Sequence, residues 1–365
     1  MTLRNQGRLP ALAAAIAILL AACSSGGATT APAASSAPSA AATSAPSAAA
    51  TTAAESLPPG VAPYDGAVAG SGKGMKIGYV SLGDSIPFVK LVSDSLKSEA
   101  TVAGADFVFC DSELDSAKAL ACVQNFKVQN VQGILNFQLN ETAAEEICKA
   151  GPAVPVIAID IHQKPCEIAF MGADNTRAGN VLGEAVGTAT KAQFDCKTDA
   201  VVLMTAKAAG AVIKLRSDGT IEGYKNICGE PTNYTEIDVP SIAIDEARTK
   251  FTDYLTTVPN AKTIIVMSLN DDMALGALAA AQAANRAANV YLGAHGGDPS
   301  GWKEVRCDPH WFGDVAYFPE RYGKIGIPAI IDAIAGKTVQ KDLFVNHKAL
   351  TKDNILTFYP DAPAC

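Results

Sequence analysis

Short, nearly continuous runs of Val, Ile and Leu recur along the chain from residue 76 onward. Longer stretches with apolar positions three and four apart separate them. The runs at 76–81, 106–110, 133–137, 154–160 and 168–172 predict five strands, and helical spacing over 88–100, 116–129 and 141–149 fills the gaps. A second series repeats the plan, with strands at 200–205, 234–239, 263–268, 290–294 and 313–318 and helices that include 175–189, 244–256 and 272–284. Strands that are apolar on both faces, without alternation, belong to parallel sheets covered by helices. Two such series predict an α/β protein made of two doubly wound parallel-sheet lobes.

In open sheets of this kind ligands bind beyond the carboxyl ends of the strands. Asp84, Asn136, Gln138, Asp160, His162, Asp174, Asn270, His295 and Asp298 stand at or just after such ends, with Phe88 beyond the first and Tyr317 at the last. Taken singly, Asn and Asp before helices are ordinary N-caps worth about 1 kcal/mol each. Taken together, they line a cleft with carboxylates and amides that bind hydroxyls and rings that pack on C–H faces. That lining suits a polyhydroxy ligand.

Before residue 76 the pattern stops. Arg4 and Arg8 precede an apolar stretch over 9–20, which runs into Leu20-Ala21-Ala22-Cys23. A basic start, a short apolar core and small residues describe a secretory signal, here residues 1–22. Its ending resembles a bacterial lipobox, which implies cleavage before Cys23, lipid on the Cys23 thiol and attachment to a membrane surface. Residues 23–74 are almost all Ala, Ser, Thr, Pro and Gly, too poor in large apolar groups to offset their ordering entropy, and read as a disordered tether. Gly70-Ser71-Gly72-Lys73-Gly74 looks like part of a phosphate loop, but Ala67 and Gly74 replace the required Gly and Ser/Thr and no strand precedes it.

Composition narrows the class. The 365 residues carry a net charge of −8. Setting aside the first 75, with Arg4, Arg8, Lys73, Glu55 and Asp65, leaves 26 basic and 35 acidic groups and a folded region of −9. An acidic chain of this kind argues against nucleic acid as the partner, since that is bound through excess Lys and Arg. Beyond Cys23 there are eight cysteines, an unusual number for a reducing compartment. Eight cysteines allow 105 pairings. Their places among the elements favour the sequential set, Cys110 with Cys122, Cys148 with Cys166, Cys196 with Cys228 and Cys307 with Cys365. No pair has C-x-x-C spacing and only four His are present, so neither a metal nor another cofactor is expected. There is no Gly-x-Ser-x-Gly elbow. His162 or His295 could act as a base, but a lone cleft histidine more often donates a hydrogen bond, so catalysis is the lesser reading.

Three stretches carry a resemblance: Asn270-Asp271-Asp272-Met273-Ala274-Leu275-Gly276-Ala277, Pro155-Val156-Ile157-Ala158-Ile159-Asp160, and Gly172-Ala173-Asp174-Asn175 followed by Ala178-Gly179. Together they resemble the periplasmic sugar-binding proteins of the ribose and galactose type. The resemblance implies the type I periplasmic binding protein fold, two lobes joined by a hinge. One lobe would be 75–174 plus about 318–345, the other 175–317 plus about 346–365. It implies that Phe88 packs on the sugar and that Asn136, Asp160 and Asn270 bind its hydroxyls. Tyr317 stands where the family has Gln or a similar group, and Arg216 is the one candidate for a family Arg. Ile161, Val89 and Ala294-His295 depart from the ribose pattern, so the implied ligand is a monosaccharide or related polyol, not ribose itself. The implied protein is a lipid-anchored extracytoplasmic monomer that serves the membrane subunits of an ABC importer. A sensor acting through a membrane receptor and a carbohydrate-active enzyme are the alternatives.

Overall fold

The structure, a computed structural model, describes residues 62–365. The expected signal, Cys23 and the tether up to residue 61 lie outside the described residues.

The chain first lays down β1 (Lys76–Ser81), α1 (Pro87–Ala103), β2 (Asp106–Asp111), α2 (Ser116–Val128), β3 (Gly133–Asn136), α3 (Ala144–Ala150), β4 (Val156–Ile159) and β5 (Glu167–Gly172). It then builds α4 (Asn175–Phe194), β6 (Ala200–Thr205), α5 (Ala211–Cys228), β7 (Tyr234–Asp238), α6 (Ile244–Thr257), β8 (Ile264–Ser268), α7 (Asp271–Ala283), β9 (Val290–Gly296), α8 (Trp302–Cys307) and β10 (Trp311–Ala316). Last come α9 (Tyr322–Ile334) and β11 (Asp342–Phe344), then β12 (Lys348–Leu350) and α10 (Ile355–Phe358).

Two six-stranded sheets result. The first has the order β2-β1-β3-β4-β5-β11 and the second β7-β6-β8-β9-β10-β12. Every pairing is parallel except that of β12 with β10. The strand order reverses at β1 in one sheet and β6 in the other, which opens a crevice at their carboxyl ends. All six residues of β6 are buried, as expected of a strand covered on both faces. The expected pair of doubly wound lobes is therefore present. The final strands β11 and β12 escape the sequence reading because three residues each are too short to show a pattern.

The helices form for local reasons. Pro87 opens α1 with its φ preset, and Gly104 closes it in the left-handed region. Val89, Val92, Leu96, Ala100 and Ala103 make its buried stripe. The α4–α5 pair depends on glycine for another reason, close approach. A Cβ on Gly183 would sit 2.1 Å from the Thr220 carbonyl oxygen, and one on Gly219 would sit 2.4 Å from that of Thr176. Backbones that close leave no room for a methyl group, and the resulting contact brings Arg216 of α5 beside the start of α4.

Three connections link the lobes, at residues 173–174, 317–321 and 345–347. The Asp174 backbone N–H donates to His347 Nε2 at 3.1 Å, which ties the first connection to the third. The Tyr317 ring meets His347 edge-on at 5.2 Å, which adds the second. His347 is held neutral, its pKa pushed down to about 3, by burial and then by Arg177 and Arg216.

The eight cysteines form four bridges in sequential order, Cys110–Cys122, Cys148–Cys166, Cys196–Cys228 and Cys307–Cys365. The end of the expected tether is corrected. Residues 62–74 are packed on the first lobe, with Ala62 buried and its amide bonded to the Phe344 carbonyl at 3.3 Å. Gly66 N–H bonds Lys324 O at 2.9 Å, and Gly72 N–H bonds Ala103 O at 2.8 Å. Small residues fit this surface because the backbone itself makes the contacts, which composition cannot reveal.

Candidate functional site

A cavity of about 100 Å³ lies between the carboxyl ends of the two sheets. A single water needs roughly 10–15 Å³ by the same measure, so the space suits one compact small molecule. From the first lobe it receives Phe88 and Asp160, and from the second Arg216, Asn270, His295, Asp298 and Tyr317. These seven are the expected site residues that the fold brings together.

Asp160 follows β4 and is almost fully buried. Its two carboxylate oxygens lie 3.0 and 3.1 Å from the Tyr322 hydroxyl, which donates to them. Burial pushes its pKa up to about 6, against the opposing pull of the Arg216 guanidinium and then the Tyr322 hydrogen bond. Arg216 is anchored by Nε to Asn175 Oδ1 at 2.9 Å and by Nη1 to the Leu269 carbonyl at 3.2 Å. Its Cζ lies 5.1 Å from the centre of the Tyr317 ring, within cation–π range. That leaves its remaining N–H groups available. The Phe88 ring stands edge-on to Tyr317 at 6.2 Å and to Tyr322 at 5.9 Å.

His295 is buried between two backbone carbonyls, with Nδ1 2.9 Å from Ser268 O and Nε2 3.3 Å from Ala178 O. Burial, then Arg216, lowers its pKa to about 3, so the ring is neutral. With both nitrogens facing carbonyls, it is not free to act as a base. Asn270 is engaged in the same way. Its Oδ1 caps α7 at Met273 N (2.8 Å) and its Nδ2 donates to Ile242 O (3.0 Å).

Two expectations are extended by neighbours the sequence reading did not single out. Asp271 and Asp272 open α7 and line the cavity. Asp314, on β10, stands behind them. Asp271 and Asp314 are completely buried. Burial, then the Asp314 and Asp298 charges, raises Asp271 well above the ordinary carboxylate range. Burial takes Asp314 up to about 6, and burial with Asp298 takes Asp272 to about 6. Tyr322 escaped notice because it reaches Asp160 from a helix 162 residues further along the chain. The signal for Asp271 and Asp272 was visible as an N-cap motif, but that motif does not say which way the helix points.

Five expected residues lie away from the cavity lining, and each is occupied elsewhere. Asp84 Oδ1 accepts from the hydroxyls of Ser81 and Ser93, both at 2.6 Å. Asn136 Nδ2 and Gln138 Nε2 both donate to Gln163 Oε1, at 3.2 and 2.9 Å, so a buried glutamine takes the place foreseen for ligand. His162 pairs with Glu167 at 2.7 Å and packs on Phe170. Asp174 caps α4 by accepting from Arg177 N at 3.1 Å and belongs to the lobe connection.

A family model described as the periplasmic binding protein domain matches residues 77–338. The chain is 26% identical over 274 residues to the ribose import binding protein RbsB of Escherichia coli, a match that covers 73% of this chain and 87% of that protein. Among solved structures it is similar to an ABC transporter solute binding protein from Mycobacterium smegmatis with bound glycerol, with TM-score 0.70, 20% identity and coverage of 80% of this chain and 98% of that one. It is also similar to one from Bacillus halodurans with bound myo-inositol, with TM-score 0.67, 18% identity and coverage of 79% and 98%. The two structural likenesses concern the fold alone. Paired doubly wound sheets, a crevice at their carboxyl ends and a matching model over most of the chain lead to one conclusion: this chain belongs to the periplasmic binding protein domain family, whose members bind solutes and do not catalyse.

Proposed function

We propose that the protein captures a monosaccharide or related polyol between its lobes and delivers it to the membrane subunits of an ABC importer. The observation that carries this reading is the cavity between the lobes, to which Asp160 and Arg216 contribute from opposite sides beside Phe88 and Tyr317. A carboxylate and a guanidinium hold hydroxyls from two sides, and rings cover the C–H face. A ligand that touches both lobes favours the closed state, because only that state offers both sets of contacts. The names of the relatives, a ribose import protein and solute binding proteins holding glycerol and myo-inositol, support the ligand class.

In this reading Asp160, Arg216 and Tyr317 bind hydroxyls and Phe88 packs on the ring. Cys23 carries the lipid that keeps the protein on the outer face of a membrane. A thermal-shift screen over sugars and polyols tests the ligand class, with stabilisation and no consumption of the compound as the expected result. Consumption would favour an enzyme, and no response to any sugar or polyol would reject the class. Cys23→Ser should release the protein from the membrane fraction, and retention would reject the anchor.

A further inference from the structure

The lining of the cavity is unevenly equipped, and this bears on which sugars or polyols it takes. The inference rests on the proposed function and narrows it. Hydrogen-bonding capacity not already used within the protein belongs to a few groups. Asp160 retains lone pairs beyond the Tyr322 bond, and Arg216 retains N–H groups beyond its two anchors. The Tyr317 hydroxyl is buried without a partner, as is Oδ1 of Asp272, whereas Asp271 is paired with Asp314. The other three polar lining groups, Asn270, His295 and Asp298, are engaged within the protein: Asn270 by backbone, neutral His295 by donating to one of the two carbonyls it faces, and Asp298 by the Ser300 N–H and hydroxyl.

The rest of the lining is mostly aliphatic or aromatic. The segments that follow β1, β3, β4, β6, β7 and β8 contribute Ile86, Phe137, Ile161, Ile213, Ile242 and Leu269 respectively. All of these but Ile242 are buried. A hydroxyl turned toward such a wall loses its water and finds no partner, whereas a methyl or methylene group there gains from leaving water.

We infer that the ligand is a sugar or polyol of mixed character, hydroxylated where it meets Asp160, Arg216, Asp272 and Tyr317 and deoxy, methyl- or alkyl-substituted where it meets the aliphatic walls. A compound hydroxylated on every carbon leaves hydroxyls unpaired in this cavity.

Titration calorimetry of the wild-type protein with matched pairs tests this. Suitable pairs are D-galactose and D-fucose, L-mannose and L-rhamnose, and myo-inositol and its mono-O-methyl ether. In at least one pair the less hydroxylated member should bind roughly tenfold tighter or more. If the fully hydroxylated member binds equally well or better in every pair, the inference is overturned and the sugar reading stands. If neither member of any pair binds, the sugar reading falls and takes this inference with it. Ile161→Thr places a hydroxyl in the wall and should reduce the preference severalfold, and an undiminished preference counts against the assignment of that wall.

Discussion

Glu141 and Ala211 join the two lobes across the mouth of the cleft: Glu141 Oε2 accepts a hydrogen bond from the Ala211 backbone N–H at 2.7 Å. Ala211 is the first residue of α5, whose own N-cap, Gly210, offers no side chain to its free N–H groups. Glu141 supplies the missing cap from the other lobe. Gly210 makes this possible, because its φ of 84° is left-handed and a Cβ there would lie 1.7 Å from Glu141 Oε2. On the far side, α1 also begins without a side-chain cap, at Ile86. There the Phe88 backbone N–H faces the Asp298 carboxylate of the second lobe and helps to lower its pKa against the larger effect of burial. Two helix N-termini, one per lobe, thus each face a carboxylate from the opposite lobe.

The first prediction concerns that contact. An anionic side chain at an exposed helix N-terminus contributes about 0.3–1 kcal/mol, and here it does so only when the lobes are closed. Glu141→Ala should therefore weaken ligand affinity about two- to fivefold, with little change in the stability of the ligand-free protein if that form opens. Calorimetry and thermal melting check both halves. Unchanged affinity would show that the contact does not help hold the closed state.

Asp160 adopts a φ of 54°, a left-handed conformation that Asn tolerates better than Ala. Asp160→Asn is therefore the informative substitution. It keeps the shape and the backbone while removing the charge that faces Arg216. Loss of charged hydrogen bonds to ligand should lower affinity by roughly thirtyfold, about 2 kcal/mol, without loss of fold. Full affinity in the variant, with a native circular dichroism spectrum, would remove Asp160 from the ligand contacts.

The buried carboxyl groups near Asp271 make stability depend on pH in a defined direction. Asp314 has a folded-state pKa of about 6, above its ordinary 3.8, because burial disfavours the anion. The native state then binds the proton more tightly than the unfolded state does. The contribution of this group to stability falls as pH rises from about 4 to about 6 and stays low above that. Asp314→Asn cannot ionise, and its Oδ1 can keep the 3.2 Å hydrogen bond from Gly297 N–H. The variant should melt above the wild type at about pH 7, with the advantage shrinking toward about pH 4. Calorimetric melting across that range would contradict the argument if the difference were constant or largest in acid.

Gly183 tests how Arg216 is positioned. Its Cβ would lie 2.1 Å from Thr220 O and 2.5 Å from Tyr224 N, both rigid backbone atoms. Gly183→Ala forces α4 and α5 apart and should destabilise the protein by about 1–3 kcal/mol, as overpacking does. Because Arg216 lies on α5 and is anchored to Asn175 on α4, affinity should fall as well. Urea denaturation and calorimetry read the two effects. Loss of stability with full affinity would mean that Arg216 tolerates the displacement.

Much of the architecture is legible in order along the chain. Parallel strands buried on both faces, such as β3, β4, β6 and β8, need apolar residues throughout and are visible as runs, whereas the edge strands β2 and β7 are only partly buried and carry a weaker signal; the intervening 3.6-residue patterns mark most helices. Local signals also give Pro87 and Gly104 their places, and the Asn270 cap. The short β11 and β12, and the packing of residues 62–74, are invisible because backbone contacts to distant segments hold them.

The candidate site was legible in its position but only partly in its members. Strand ends identify the crevice, since that follows from topology, and Phe88, Asp160, Arg216 and Tyr317 were found there. Which polar group at a strand end faces the cavity depends on what else is within reach. Gln163, buried between Asn136 and Gln138, claims both amides, and Ser81 with Ser93 claims Asp84. The chain by itself determines its elements, because those follow from neighbours a few residues away. Partnerships such as Asp160 with Tyr322, Glu141 with Ala211 and Asp271 with Asp314 join residues far apart in sequence, and only the packing of helices and sheets brings them within hydrogen-bonding or Coulombic range.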